Sequence, residues 1–307
     1  MKKDFINLPF LKKVGKSQTT LIYWGLFEPE TVFQQVIADY EKENPHVKII
    51  YSQENLKDYQ ERLNYALRRQ TEEKGREGEI VQRDSPDIFR IHATWTPIFG
   101  SLLSPVPSDV YDAATFEKTF YPSVKELLRY QGQYIAIPLM FDGLALYYNE
   151  DLFRTAGKTP PRSWTELKKT ACEMTTRDSQ GKITTAGVAM GTANNVDHWS
   201  DILALMMLQN GADLANPAAC SEESGSAIES DKLCLGRDAL TFYTIFASDQ
   251  ACSGESVNPG AVWDRFMPTS TYAFATGSLA MYFAPSWRAH EIKELNPSLN
   301  FKVIPIP

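Results

Sequence analysis

The sequence of 307 residues contains no apolar run long enough to cross a bilayer, for which about 20 consecutive apolar residues are needed. It is also poor in metal ligands, with only four cysteines and four histidines. The cysteines form no C-x-x-C pair, and no histidine stands at ligand spacing from them, so a zinc site is not expected. The composition therefore predicts a soluble globular chain that holds neither a metal nor a cofactor.

The common catalytic signatures are missing as well. There is no G-x-S-x-G elbow, Walker loop or H-E-x-x-H helix, and the histidines are far apart in sequence. Ser179 and Lys182 match S-x-x-K, but they fall in a polar turn where a chance match is the better explanation. We therefore expect no enzyme. A glycosidase stays open as the alternative, because it needs only two paired carboxylates and the chain has 38 acidic residues.

The net charge of -7 argues against a nucleic-acid partner, which would require clustered Lys and Arg side chains. The one basic cluster lies in residues 1–18 and surrounds the short apolar stretch Phe5–Leu11. That stretch is too short for the apolar region of a signal peptide. Residues 1–18 are predicted to be a disordered leader or tether, with an ordinary cytoplasmic start as the alternative.

Three cysteines, Cys220, Cys234 and Cys252, fall in a segment rich in Gly, Ser and Glu. Such clustering predicts a disulfide formed in an oxidising compartment. The simplest pairing is Cys220 with Cys234, although the sequence leaves the pairing open. Cys172 lies in a helical pattern, where a buried and inert free thiol is the ordinary expectation.

Strand and helix patterns alternate from Thr19 onward. Strands are predicted from Thr19 to Gly25, at Val47–Tyr51 and at Pro86–Ile91, with helices between them around Val32–Tyr40 and Tyr59–Gln70. This order indicates a mostly parallel sheet covered by helices. Further along, Ser163 and Glu166 form a capping box that predicts a helix from Trp164.

In parallel sheets of this kind, ligands bind beyond the carboxyl ends of the strands. The residues at or just after the ends of the first and third predicted strands are therefore candidates for ligand binding: Trp24, Glu28, His92, Thr94 and Trp95. Two tryptophans at such positions favour a binding role, although one of them could simply pack into the end of the core.

Three stretches of the sequence resemble extracellular solute-binding proteins of family 1, the maltose-binding-protein-like sugar receptors of ABC importers. They are Gly132–Pro138 with Leu146–Phe153, Pro161–Leu167, and Phe274–Tyr282 with Ser286 and Trp287. No single stretch is a catalytic signature, but together and in this order they are fairly specific. The resemblance runs from about Thr19 to the last residue.

The resemblance implies an α/β fold of the periplasmic-binding-protein type, with two lobes that are each a sheet flanked by helices and a ligand cleft between them. Lobe 1 is expected at residues 19–139, a hinge crossing at 140–144, lobe 2 at 145–303, and the start of a second crossing at 304–307. Since members of the family return to lobe 1 after that crossing, the chain is expected to be incomplete at its C-terminus, either as a fragment or as a naturally shortened protein.

A sugar presents flat C–H faces and a ring of hydroxyl groups, so its receptor needs aromatic platforms and polar partners. The resemblance places the ligand-facing positions at Trp24, His92, Trp95, Asp142 and Trp287. Asp142 also stands out from the residues alone, because it interrupts an apolar run. Trp199 is a weaker candidate. For Trp199, and likewise for Trp263 and Arg288, packing or a surface ion pair is the favoured interpretation.

The function implied by the resemblance is capture of a carbohydrate or related small solute by hinge closure, followed by delivery to the permease subunits of an ABC transporter. The protein is expected to act as a monomer at the periplasmic or extracellular face of the membrane, with or without an anchor there. The alternatives are a glycoside-acting enzyme, or a sensor or adhesin built on the same scaffold.

Overall fold

The computed structural model describes residues 18–73, 85–222, 232–254 and 259–307. The predicted leader therefore lies, except for residue 18, outside the described residues. Contacts divide the chain into two compact units, Met1–Phe141 and Asp142–Pro307, which are described separately below. Within the described ranges, no helix is both long and apolar enough to cross a membrane.

The sheet of the first unit has three strands in the order β2-β1-β3, and all its pairings are parallel. Its strands are β1 (Thr19–Gly25), β2 (Val47–Gln53) and β3 (Ile88–Phe89), and the helices between them are α1 (Glu30–Glu43) and α2 (Tyr59–Glu73). The predicted alternation of strands and helices is confirmed. β3 is shorter than predicted because Asp87 pairs with β1 partly through its side chain, whose Oδ2 accepts a hydrogen bond from the backbone N–H of Ile22 at 2.9 Å.

The remainder of the first unit consists of short elements. They are a 3-10 turn (Ala93–Trp95), α3 (Thr96–Phe99), a second 3-10 turn (Gly100–Leu102), α4 (Ala113–Thr119), α5 (Pro122–Leu127), and the hairpin of β4 (Arg129–Tyr130) and β5 (Gln133–Tyr134). The sequence analysis did not predict α4 or α5. α4 begins where the carboxylate of Asp112 accepts from the backbone N–H of Thr115 at 2.8 Å, which caps the helix.

The second unit is built on a five-stranded sheet in the order β12-β6-β11-β8-β7. These strands are β6 (Leu144–Asn149), β7 (Thr176–Arg177), β8 (Ile183–Val188), β11 (Leu279–Pro285) and β12 (Phe301–Ile304), and β9 (Ser221–Glu222) pairs separately with β10 (Lys232–Leu233). β11 runs parallel to β8 and antiparallel to β6, and β6 is antiparallel to β12. The carboxyl ends of β8, β11 and β12 therefore lie at the same edge as the start of β6.

Among the described residues of this unit, the helices are α6 (Glu150–Ala156), α7 (Trp164–Met174), α8 (Trp199–Gln209), α9 (Leu235–Ile245), α10 (Ser270–Ala275) and α11 (Arg288–Leu295). The predicted capping of α7 is present, since Ser163 Oγ accepts from the backbone N–H of Glu166 at 3.2 Å. All seven residues of β11 are buried. β11 therefore runs through the core of this unit, and the side chains that follow its last residue are held on a rigid support.

Two disulfides cross-link the second unit, Cys220 with Cys234 and Cys172 with Cys252. The interpretation of Cys172 as a free thiol is therefore wrong. Its helical pattern indicated only that this position faces the core, where Cys172 is fully buried. The pattern carried no information about the segment after α9, which brings Cys252 to the same place.

Candidate functional site

Two of the predicted tryptophans in the first unit lie against a shared tyrosine. Trp24, next to last in β1, and Trp95 in the first 3-10 turn each have their ring centroid 6.3 Å from that of Tyr59 on α2. Tyr59 is fully buried and donates its hydroxyl hydrogen to the backbone oxygen of Arg90 at 2.9 Å, and this burial raises the pKa of its phenol. Both indoles are half-buried. Each therefore packs on the core of this unit with one part and reaches solvent with another.

Glu28 forms an ion pair rather than an open polar position. Its Oε1 accepts from Arg90 at 2.7 Å, and both side chains are only 13% exposed. Burial raises the pKa of Glu28, but the hydrogen bond from Arg90 and those from the backbone outweigh burial, so that the pKa lies below its usual value. Its second oxygen, Oε2, is buried without a hydrogen-bond partner among the described residues. Glu28 is thus ionised, and its Oε2 can still accept a hydrogen bond.

His92 and Thr94 are both exposed, and they interact with each other. His92 Nδ1 lies 2.7 Å from Thr94 Oγ1 and also accepts from the backbone N–H of Thr94 at 3.3 Å, which caps the 3-10 turn that carries Trp95. The imidazole is therefore fixed at the start of this turn, and its Nε2 has no hydrogen-bond partner among the described residues.

In the second unit, Asp142 and Ser286 join two neighbouring strands at one edge of the sheet. Asp142 Oδ1 accepts from the backbone N–H of Ser286 at 3.1 Å, from Ser286 Oγ at 2.8 Å and from the backbone N–H of Gly143 at 2.9 Å. Asp142 precedes β6, and Ser286 follows β11. Asp142 Oδ2 has no hydrogen-bond partner within the part of the chain that the structure describes, and the residue is exposed. It is therefore an ionisable acceptor held in a fixed position.

Tyr147 of β6 forms hydrogen bonds to the same edge from the core side. Its hydroxyl lies 2.8 Å from the carbonyl oxygen of Pro285 and 3.2 Å from that of Ser286, and it donates to both. Tyr147 is fully buried, and burial raises the pKa of its phenol. The backbone that leads into Trp287 is therefore fixed from the core side by one buried hydroxyl group.

Trp287 follows directly and is 52% exposed, an unusual degree for so large an apolar side chain. The guanidinium carbon of Arg288 lies 4.3 Å from its ring centroid, within the range of a cation–π contact. The ring of His198 lies 6.0 Å away at an interplanar angle of 74°. Trp287 therefore presents a partly exposed aromatic surface whose position is set by two polar neighbours.

Beside this group, Asp197 anchors the loop before α8. Its Oδ2 accepts from the hydroxyl of Ser270 at 3.1 Å and from the hydroxyl and backbone N–H of Thr271 at 2.5 and 3.0 Å. Burial raises the pKa of Asp197, but these hydrogen bonds and the charge of Arg288 outweigh burial and lower the pKa. Thr271 Oγ1 also lies 2.6 Å from the hydroxyl of Tyr282, whose pKa burial raises to about 12. The loop is therefore held to the core by an ionised carboxylate.

Comparison with known proteins assigns the chain to a family. The sequence model of a family described as "Bacterial extracellular solute-binding protein" matches residues 35–307. The chain belongs to this family. A curated relative, the maltotriose-binding protein of Pyrococcus abyssi, is 25% identical over 151 residues, which are 48% of this chain and 29% of that protein. The match thus spans less than a third of the curated relative.

Solved structures support the same fold for this solute-binding protein. The cyclic alpha-maltosyl-1,6-maltose binding protein of Arthrobacter globiformis gives a TM-score of 0.64 at 17% identity, covering 95% of this chain and 66% of that one. The GacH receptor of Streptomyces glaucescens gives 0.60 at 22% identity, covering 94% and 67%. These likenesses confirm the predicted α/β fold of the periplasmic-binding-protein type. The family is extracellular by its description, which agrees with the coarse prediction of location.

Sequence reasoning singled out only part of the group around Trp287 in this solute-binding protein. Trp199 is 39% exposed at the first position of α8, next to His198 in the chain. Trp263 is fully buried and donates its indole N–H to Asn195 at 3.0 Å, which is a packing role. Arg288 was assigned to packing or a surface ion pair, and His198 was not among the candidates, although each adjoins a predicted tryptophan in sequence. That adjacency was the available signal.

No group of three or more His, Cys, Asp or Glu side chains that could hold a metal occurs in the described ranges.

Proposed function

We propose that this solute-binding protein binds a carbohydrate or a related small solute and delivers it to the permease of an ABC transporter. The observation that carries the proposal is Trp287. Its indole is 52% exposed at the edge of the five-stranded sheet, and Arg288 lies 4.3 Å from the ring centroid. An exposed indole in a fixed position is the platform on which a sugar ring can stack.

Hydroxyl groups of the sugar would find partners beside that platform. Asp142 is held by Ser286 through Oδ1 and offers Oδ2, which can accept hydrogen bonds from sugar hydroxyls. Charge-assisted bonds of this kind are stronger than neutral ones and give direction to binding. An aromatic surface and a carboxylate bound to the residue before it suit the C–H faces and the hydroxyl groups of a carbohydrate.

The first unit offers the same two kinds of group. Trp24 and Trp95 are half-buried around Tyr59, and His92 is exposed next to them in sequence. We propose these as the sugar-binding side chains of the first unit. Substitution of Trp24 or Trp95 by alanine should then weaken sugar binding.

Transport, rather than chemistry on the sugar, is proposed because the family and the relatives are named as binding proteins. The maltotriose-binding protein and the acarbose-binding GacH receptor bind oligosaccharides or their analogues, which makes an oligosaccharide the proposed ligand class. The two disulfides fit an oxidising compartment such as the periplasm or the outer face of the cell membrane. We also propose that the protein acts as a monomer and has no nucleic-acid partner.

The test is a calorimetric titration with a panel that includes maltotriose, mannotriose and acarbose. Trp287→Ala should raise the dissociation constant of the best ligand by at least about tenfold, since its stacking surface is removed. Leu295→Ala is the matched control. Leu295 is 55% exposed at the opposite end of α11, and its loss should leave affinity unchanged. Equal affinities of the Trp287 variant and the parent would contradict the placement of the site.

The enzyme alternative is examined with the same panel. Prolonged incubation with each oligosaccharide, followed by chromatography, should leave the sugars intact. If shorter sugars are released only when the protein is present, the protein hydrolyses glycosides and the transport proposal is wrong.

A further inference from the structure

His198 occupies a backbone conformation that few residues adopt. It stands immediately before α8 with φ of 59°, in the left-handed region, and its carbonyl oxygen accepts from the backbone N–H of Ile202 at 3.0 Å in the first turn of α8. A side chain other than glycine pays a conformational cost there, and such positions persist where the surrounding structure demands them. The left-handed turn brings the imidazole beside Trp287 and Arg288.

The contact with Arg288 defines what the imidazole must do to take part in it. His198 Nε2 lies 3.3 Å from the guanidinium Nη2 of Arg288. Arginine can only donate, so a hydrogen bond here has Nε2 as its acceptor and uses the tautomer with its hydrogen on Nδ1. Nδ1 lies 3.2 Å from Asp201 Oδ2, which can accept that hydrogen. His198 is thus oriented on both sides.

Arg288 in turn has few other partners. Its side chain is only 14% exposed, it forms an ion pair with Glu291, and its Nε is buried without a hydrogen-bond partner among the described residues. The contact with His198 is therefore one of two that orient the guanidinium group, and the guanidinium group lies 4.3 Å from the ring centroid of Trp287. A change at His198 reaches Trp287 through Arg288.

We propose that His198 is a positioning residue for Trp287, and that its protonation weakens ligand binding at this edge of the second unit. A protonated imidazole carries hydrogen on both nitrogens, so it can no longer accept from Arg288 and instead places a second positive charge beside it. The charged groups that contact the imidazole are Arg288 on α11 and Asp201 on α8, and Glu291 and Asp197 interact with Arg288 in turn. Asp201 attracts the protonated ring while Arg288 repels it, so the guanidinium group loses the contact that orients it beside Trp287.

The expected effect of His198 on ligand binding rests on the proposed function. The expected effect of His198 on the exposure of Trp287 does not. The first measurement therefore uses ligand-free protein labelled with 5-fluorotryptophan. The Trp287 signal is identified by its loss in Trp287→Phe. Its solvent isotope shift, which reports exposure of the indole, is expected to increase as the pH is lowered from about 7.5 to about 5.5, the range in which imidazoles titrate. In His198→Gln, which offers an amide oxygen but does not titrate, the shift should not change with pH.

The second measurement is the ratio of the dissociation constants for maltotriose, or for the best sugar of the panel, at the two pH values. The parent should bind about tenfold more weakly at the lower pH, the size expected when one hydrogen bond to a charged group is lost. In His198→Gln the ratio should fall to within about twofold. His290→Gln is the matched control, because His290 is 83% exposed on α11 and pairs with Glu294, so the ratio should stay near that of the parent.

A Trp287 signal that does not respond to pH, or that responds equally in His198→Gln, would overturn the inference. So would a dissociation constant whose pH dependence survives in His198→Gln. If no sugar binds while the Trp287 signal still responds to pH through His198, the positioning role stands and the proposed carbohydrate function fails.

Discussion

Replacing Tyr147 by phenylalanine tests whether the core of the second unit fixes the backbone before Trp287. The substitution keeps the ring and removes only a hydroxyl group that lies 2.8 Å from the buried carbonyl oxygen of Pro285 and 3.2 Å from that of Ser286. Because Pro285 and the tyrosine are buried, the carbonyl oxygen of Pro285 is expected to stay without a donor after the substitution. Leaving a buried acceptor unsatisfied costs about 1 to 3 kcal/mol of unfolding free energy.

For a unit of this size, a loss of 1 kcal/mol lowers the melting temperature by roughly 2 to 4 °C, so a decrease of about 2 to 12 °C is expected. Differential scanning calorimetry measures it. Tyr148→Phe is the control from the next position of the same strand. Its hydroxyl has no hydrogen-bond partner in the described part of the chain, and its loss should cost less than about 0.5 kcal/mol.

We also expect Tyr147→Phe to weaken sugar binding, because the freed carbonyl oxygens no longer hold Trp287 in one position. If Tyr147→Phe and Tyr148→Phe melt at the same temperature, the hydroxyl does not support this edge. The account of how Trp287 is positioned would then be refuted.

Two further predictions concern the cross-links and an ionised group. Removing the bond between Cys172 and Cys252, which are 80 residues apart, should destabilise the protein more than removing that between Cys220 and Cys234, which are 14 apart; the chain-entropy estimates are about 4.5 and about 3 kcal/mol. Serine pairs compared by thermal melting decide this, and the reverse order would contradict it. Asp197 has a lowered pKa in the folded state, so its contribution to stability is present above the unfolded value of about 4 and is lost as pH falls through the lower folded value. Melting temperatures across that range should therefore fall more steeply for the parent than for Asp197→Asn, and parallel curves would argue against an ionised Asp197.

The elements of the sheets were predictable from the sequence because their patterns are local. β1, α1 and β2 follow from alternating apolar runs, and α7 follows from the capping box at Ser163 and Glu166. α4 and α5 are only seven and six residues long, too short for a periodic pattern to emerge.

The candidate site was predictable only in part, because its geometry depends on contacts between distant residues. The tryptophans after strands could be identified from their positions. The contact of His198 with Arg288, 90 residues away in sequence, could not, since nothing in either local pattern refers to the other. The partner of Cys172 was missed for the same reason, as it lies 80 residues further along the chain.

Titration of the purified chain with the oligosaccharide panel, followed by tryptophan fluorescence and thermal melting, tests the central proposal most directly. A ligand that binds the folded state raises its melting temperature in proportion to the logarithm of its concentration once the site is saturated. We predict a saturable fluorescence change and a raised melting temperature for at least one oligosaccharide, both abolished or strongly weakened in Trp287→Ala. A response that is unchanged in Trp287→Ala, or no response to any sugar, would contradict carbohydrate binding at this edge of the second unit.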